Sequence, residues 1–240
     1  MRSFLSPQPI TTTQRLIVAL DLPSADSARK LVSELGEHVG FYKVGLEMFM
    51  TGDGFPLVDD LLAAGKEVFV DLKFFDVPNT VAGAVRGLSQ RNVTFATVHG
   101  NQNIVEAACA EKGPLKILGV TVLTSLDQGD LTDLGFQCSP QDLVLSRAKR
   151  AIQAGCDGVV SSGLEAPALR ADLGQNFLVV IPGIRPVANV DDQKRTVNVE
   201  QAFENGADYI VVGRPVVRAD SPRQAAEDIQ RSIAAVFEKG

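Results

Sequence analysis

The stretch EVFVDLKFFDVPNTVAGAVRGLSQRNVTFATVH, residues 67–99, contains one full turn of a repeating pattern. A β-branched and aromatic run (67–72) leads into a charged segment, then a helical segment (80–90), then a second apolar run (95–99). Such runs are apolar rather than alternating, as in parallel strands covered on both faces. The pattern continues outward. Runs at 16–20, 41–44, 116–123, 158–161, 178–181 and 209–213 bring the strands to eight, and helical segments such as 24–35 and 56–64 separate most of them. Ser24 is placed to cap the first helix. Gly65, Gly113, Gly155 and Gly206 each stand ahead of the next run, at the turn from helix to strand. The segment before the last strand, 199–206, is short.

Eight β units with interleaved helices imply a single-domain (β/α)8 TIM barrel over residues 15–240, preceded by a flexible tail, 1–14, rich in Ser, Pro, Gln and Thr. A doubly wound open sheet is the alternative, and no GxGxxG follows the first strand to favour it. The 240 residues are 45% hydrophobic and 22% charged, ordinary for a soluble globular chain. No apolar run approaches about 18 residues, so no membrane partner is expected. The first strand is not preceded by the apolar core of a secretory signal. The net charge of −6 gives no global basic field, so no nucleic-acid partner is expected. An anionic small molecule would need local positive charge. Cys109, Cys138 and Cys156 have no CxxC spacing and read as bystander thiols, which points to a cytoplasmic location.

In a TIM barrel the site lies at the C-terminal ends of the strands, so the polar residues there are the candidates. Asp71 and Lys73 are two apart and face the same side of the third strand. The helix layer is a costly place for two charges, which favours the mouth. Asp76 follows in the loop and completes a carboxylate–ammonium–carboxylate array if the loop folds back or a neighbouring subunit supplies it. A structural ion pair at the rim is the alternative. Lys43 ends the second strand and Asp21 the first, and each also suits a snorkelling lysine or a loop cap. Thr124 and Ser125 end the fifth strand, as ligand contacts or helix caps. The seventh and eighth strands end in Gly183-Ile184-Arg185 and Gly213-Arg214. Glycine permits close backbone approach and arginine offers forked donors, at the place where these barrels recurrently bind phosphate. His99 ends the fourth strand, as a structural or supporting residue. With only two histidines a His-rich metal site is excluded. Lys73 stands between Asp71 and Asp76 and competes with Mg²⁺ for them, so no metal is expected.

The run Asp71-Leu72-Lys73-Phe74-Phe75-Asp76-Val77-Pro78-Asn79-Thr80 resembles the signature of the orotidine 5′-phosphate decarboxylases. Val18-Ala19-Leu20-Asp21, Lys43-Val44-Gly45, Val120-Thr121-Val122-Leu123-Thr124-Ser125, Pro182-Gly183-Ile184-Arg185-Pro186 and Val212-Gly213-Arg214-Pro215 follow the family's order. Phe75 departs from the pattern, at a spacer that often carries His. The resemblance implies a cofactor-free carboxy-lyase that converts orotidine 5′-phosphate to uridine 5′-phosphate and CO2 in pyrimidine synthesis. It implies a homodimer with sites shared across the interface. Lys73 would protonate C6 of the pyrimidine and Asp71 would sit beside the departing carboxylate. Asp76 and Thr80 would reach in from the partner. Asp21 and Lys43 would contact the ribose, Thr124 the pyrimidine, and Arg185, Gln193, Gly213 and Arg214 the phosphate. Mg²⁺-dependent sugar-phosphate barrels with a similar Asp-x-Lys-x-x-Asp strand, and a non-catalytic nucleotide-binding barrel, are the alternatives.

Overall fold

Short strands with both faces apolar have no stable place in a half-exposed sheet, and here they close on themselves. A computed structural model describes residues 4–184 and 197–238. Its strands are β1 (Leu16–Ala19), β2 (Phe41–Gly45), β3 (Glu67–Phe74), β4 (Phe95–His99), β5 (Lys116–Val120), β6 (Gly158–Val160), β7 (Leu178–Pro182) and β8 (Tyr209–Val212). Every neighbouring pair is parallel, in chain order, and β8 returns to β1 through Ile17 opposite Val211. The barrel expected from the repeating pattern therefore forms. Around it lie α1 (Ala25–Leu35), α2 (Leu46–Met50), α3 (Gly54–Ala63), α4 (Pro78–Ser89), α5 (Gln102–Glu111), α6 (Gln128–Asp133) and α7 (Pro140–Gln153). The ring continues with α8 (Ala166–Leu173), α9 (Val199–Glu204), α10 (Arg214–Val217) and α11 (Pro222–Glu238). No described helix is long and apolar enough to cross a membrane.

The period of two residues sorts each strand into an inner and an outer face. Val18, Tyr42, Val68, Val70 and Ala96 face outward and pack with the helices into one continuous core. Ile17, Phe41, Phe69, Phe95, Leu118, Val180 and Tyr209 face inward and fill the barrel. The Phe95 ring lies 5.1 Å from Phe41 and 5.2 Å from Tyr209. Each such ring contributes on the order of 1.5–3 kcal/mol by burial, and together they close the barrel below its mouth.

Two strand ends differ from the expectation by more than one residue. β5 stops at Val120 rather than 123, because its neighbour β6 ends at Val160, the partner of Val120. Thr121 still reaches back, with its hydroxyl donating to the Val160 carbonyl at 3.1 Å. β3 runs on to Phe74, because a bulge lets Phe74 pair with Val98. Ser24 does cap α1, accepting from the Ser27 amide.

The described part of the N-terminal segment crosses the floor of the barrel. Ser6 is buried and its hydroxyl donates to Asp208, while the Phe4 amide donates to the Glu204 carbonyl at 3.3 Å. The anchor beneath it is an ion pair, Arg170 Nη2 to Asp208 Oδ2 at 2.7 Å, with both side chains fully buried. Arg170 spends its other donors on the Gly206 and Phe177 carbonyls, and the Val179 amide donates to Asp208. A fully satisfied pair of this kind is costly to break from one side. Arg170→Met is expected to lower stability by about 3–5 kcal/mol, read by urea unfolding. Arg170→Met combined with Asp208→Leu should recover much of that loss, since no lone charge is then left buried.

Candidate active site

Above the aromatic layer the next inward-facing residue of β2, β3 and β4 is polar. Phe41 is followed by Lys43, Phe69 by Asp71 and Phe95 by Thr97. The side chains converge on a cavity of about 480 Å³ lined by Asp21, Lys43, Asp71, Lys73, Thr124 and, from the β7 and β8 ends, Pro182, Gly183, Gly213 and Arg214. Arg218 and Glu47 complete the charged part of the rim. The two glycine-containing strand ends expected to face a phosphate thus share one cavity with the charged residues of β1, β2 and β3.

The charges alternate in sign. Lys43 Nζ donates to Asp21 Oδ1 at 2.9 Å and lies 3.7 Å from Asp71 Oδ2. Lys73 Nζ donates to Asp71 Oδ2 at 2.8 Å. Burial alone would push the Asp71 carboxyl up, but the Lys43 and Lys73 ammonium groups and hydrogen bonds from Lys73 and Thr97 hold it below the usual carboxylate range. Lys73 is the more open of the two cations, with 38% of its side chain exposed against 11% for Lys43, and both line the cavity.

The array depends on backbone detail. Val70 pairs with Ala96 and Phe74 with Val98, so residues 71–73 of β3 stand against Thr97 alone. Lys73 adopts φ +49°, the left-handed region a residue with a Cβ rarely enters. Bulges of this kind re-aim side chains beside sites. Gly45 matters for a different reason. A Cβ there would lie 2.8 Å from Lys43 Nζ and 3.1 Å from Asp21 Oδ1, inside their hydrogen bond.

Other expected residues lie elsewhere. The loop after β3 does not fold back. Asp76 is exposed, its carboxylate accepts from the Val77 amide, and it lines a separate groove of about 690 Å³ with Phe75, Val77, Phe136, Arg147 and Arg150. The array within one chain is therefore Asp21–Lys43–Asp71–Lys73, without Asp76. Thr80 is exposed in the first turn of α4, away from the cavity. Thr124 lines the cavity from the loop beyond β5, and α6 is capped by Asp127 rather than by Thr124 or Ser125. Arg185 and Gln193 lie outside the described residues. Among the described residues no group of three or more His, Cys, Asp and Glu is gathered as a metal site. Sequence reasoning passed over Thr97, although its place two residues from both Phe95 and His99 puts it on the inner face of β4.

A closed barrel with alternating charges and glycine-containing strand ends at one mouth is the layout of a barrel enzyme for small anionic ligands. The chain belongs to the Orotidine 5'-phosphate decarboxylase / HUMPS family, whose sequence model matches residues 14–229. It is 64% identical over 242 aligned residues, all of both chains, to the orotidine 5'-phosphate decarboxylase of Methylococcus capsulatus. It is 48% identical to that of Stenotrophomonas maltophilia, covering 97% of this chain and 98% of the relative. The crystal structure of orotidine 5'-phosphate decarboxylase from Lactobacillus acidophilus superposes with a TM-score of 0.81 at 34% identity, covering 92% of this chain and 99% of that one.

His99 sits behind the array, its ring 4.8 Å from that of Phe75. Burial lowers its pKa, and the nearby Arg147 and Lys73 charges lower it further. The unfolded chain therefore takes up this proton before the folded chain does, and stability is lost as the pH falls below about 6.5. His99→Gln is expected to flatten the fall in Tm between about pH 7 and pH 5. Equal slopes for the two proteins would mean that His99 carries no such linkage.

Proposed function

We propose that this protein decarboxylates orotidine 5′-phosphate to uridine 5′-phosphate and CO2, without a cofactor, as a cytoplasmic homodimer. The observation that carries the reading is the Lys73 ammonium held on Asp71 in the cavity, in a chain so close end to end to a named decarboxylase.

Breaking the bond between C6 and the carboxylate leaves an electron pair on a ring carbon with no cofactor to accept it. A fixed ammonium stabilises that charge as it develops, because it is already in place and needs no reorganisation. The proton then moves from Lys73 Nζ to C6, and the lysine regains one from solvent. Asp71 holds the Lys73 ammonium in place beforehand. It also faces the substrate carboxylate, and two such charges ~4 Å apart repel by about 4 kcal/mol at an effective dielectric of 20. That repulsion is relieved as CO2 forms. Binding energy from the far end of the substrate holds the carboxylate there. Gly213 and Arg214, with Arg185 and Gln193, take the phosphate; Asp21 and Lys43 take the ribose; Thr124 takes the pyrimidine.

The partner subunit completes the site with its own Asp76 and Thr80. In support, both residues are exposed and outside their own chain's cavity. Phe75 and Val77 beside them are also exposed, at 63% and 64%, which leaves an apolar rim suited to subunit contact.

The first test is loss of orotidine 5′-phosphate absorbance with purified protein in excess EDTA. Turnover to uridine 5′-phosphate is expected. Turnover that EDTA abolishes would assign the protein to Mg²⁺-dependent chemistry, and binding without turnover would make it a nucleotide-binding barrel. Lys73→Ala should reduce kcat severely and keep product affinity. Mixing Lys73→Ala with Asp76→Ala should restore about a quarter of wild-type activity on statistical subunit exchange, since half the sites of each mixed dimer are intact. No recovery would place Asp76 outside the partner's site.

A further inference from the structure

We propose that Thr97 is a positioning residue for the reaction, a single hydroxyl that fixes both the direction of Lys73 and the orientation of Asp71. The inference rests on the decarboxylase reading above and goes beyond it to a residue that touches no substrate.

The observation is the pair of hydrogen bonds at the bulge. Lys73 N donates to Thr97 Oγ1 at 2.9 Å, and Thr97 Oγ1 donates to Asp71 Oδ1 at 2.8 Å. Thr97 is fully buried. A hydroxyl has one proton to give. Once it is given to Asp71, the lone pairs accept from Lys73, so both contacts form together only when Asp71 Oδ1 acts as an acceptor. The bulge explains the need. Residues 71–73 outnumber their partners on β4, and the Lys73 amide is turned out of the regular ladder in its left-handed conformation. The Thr97 hydroxyl stands in for the missing carbonyl. Asp71 is thereby held at both oxygens, by Thr97 on Oδ1 and by Lys73 on Oδ2. The ammonium and the carboxylate that it must match are referred to one fixed point on β4.

Three alternatives at position 97 separate this role from plain packing. Valine keeps the shape and removes the hydroxyl. It would strand the Lys73 amide and release Asp71 Oδ1, while leaving the cavity lining untouched. Serine keeps the hydroxyl and loses only a methyl group. Alanine serves in place of valine if valine does not fold.

The experiment compares wild type, Thr97→Val and Thr97→Ser for kcat and KM with orotidine 5′-phosphate, for uridine 5′-phosphate affinity and for Tm. Thr97→Val is expected to lower kcat by about 10- to 100-fold while KM and product affinity stay within about threefold. Thr97→Ser is expected to stay within about threefold of wild type. A Thr97→Val protein with wild-type kcat overturns the inference. So does one whose product affinity falls in step with kcat, or a serine variant no better than valine, since either means a structural role. A folded wild-type protein with no turnover is a different failure. It removes the decarboxylase reading and this inference with it.

Discussion

Four charges can stand at the mouth of an apolar barrel only because each touches one of opposite sign. Lys43, nearly enclosed, would be expensive to keep charged on its own, and so would Asp71. In sequence along the rim, Asp21, Lys43, Asp71 and Lys73 neutralise one another at contact distances. The same contacts fix the geometry. Asp71 is locked between two cations and a hydroxyl, so Lys73 has a defined place to stand. Enzymes that rely on electrostatic stabilisation need this order in advance of the substrate. Here the order is a by-product of making the charges tolerable at all.

The barrel delivers these residues by simple periodicity. Inward positions two apart on β2, β3 and β4 carry an aromatic ring and then a polar group, so one layer of rings supports one layer of chemistry. The departure from periodicity is equally informative. If β3 had kept regular register with β4, Lys73 would have continued the ladder. The bulge instead holds it in a left-handed conformation, a cost of about 1–3 kcal/mol of the sort that accumulates at sites.

Much of this was legible in the sequence, for definite reasons. Eight doubly apolar strands separated by helices have few architectures open to them, so the barrel followed. Asp71 and Lys73 lay two apart on a strand end, which fixed their common side before any contact was known. The link from Lys43 to Asp71 was not legible, because it depends on the register between two strands. Thr97 was missed because a threonine in a β-rich run looks like strand propensity, and only the bulge gives its hydroxyl two partners. Asp76 shows the limit of reading along one chain. Its spacing from Lys73 left two routes open, a loop that folds back or a neighbouring subunit, and the loop leads it outward to a different groove. The end of β5 was misjudged because strand length depends on the neighbour, and β6 is only three residues long.

The packed rings of Phe41, Phe69, Phe95 and Tyr209 have a consequence for traffic. Among the described residues the rings fill the barrel beneath the charged layer, so the cavity is a cup closed at its floor. Whatever is made against Lys73 departs through the rim by which the substrate arrived. A small neutral gas released at the bottom of that cup must slip past the larger product still gripped above it, or wait for the product to go.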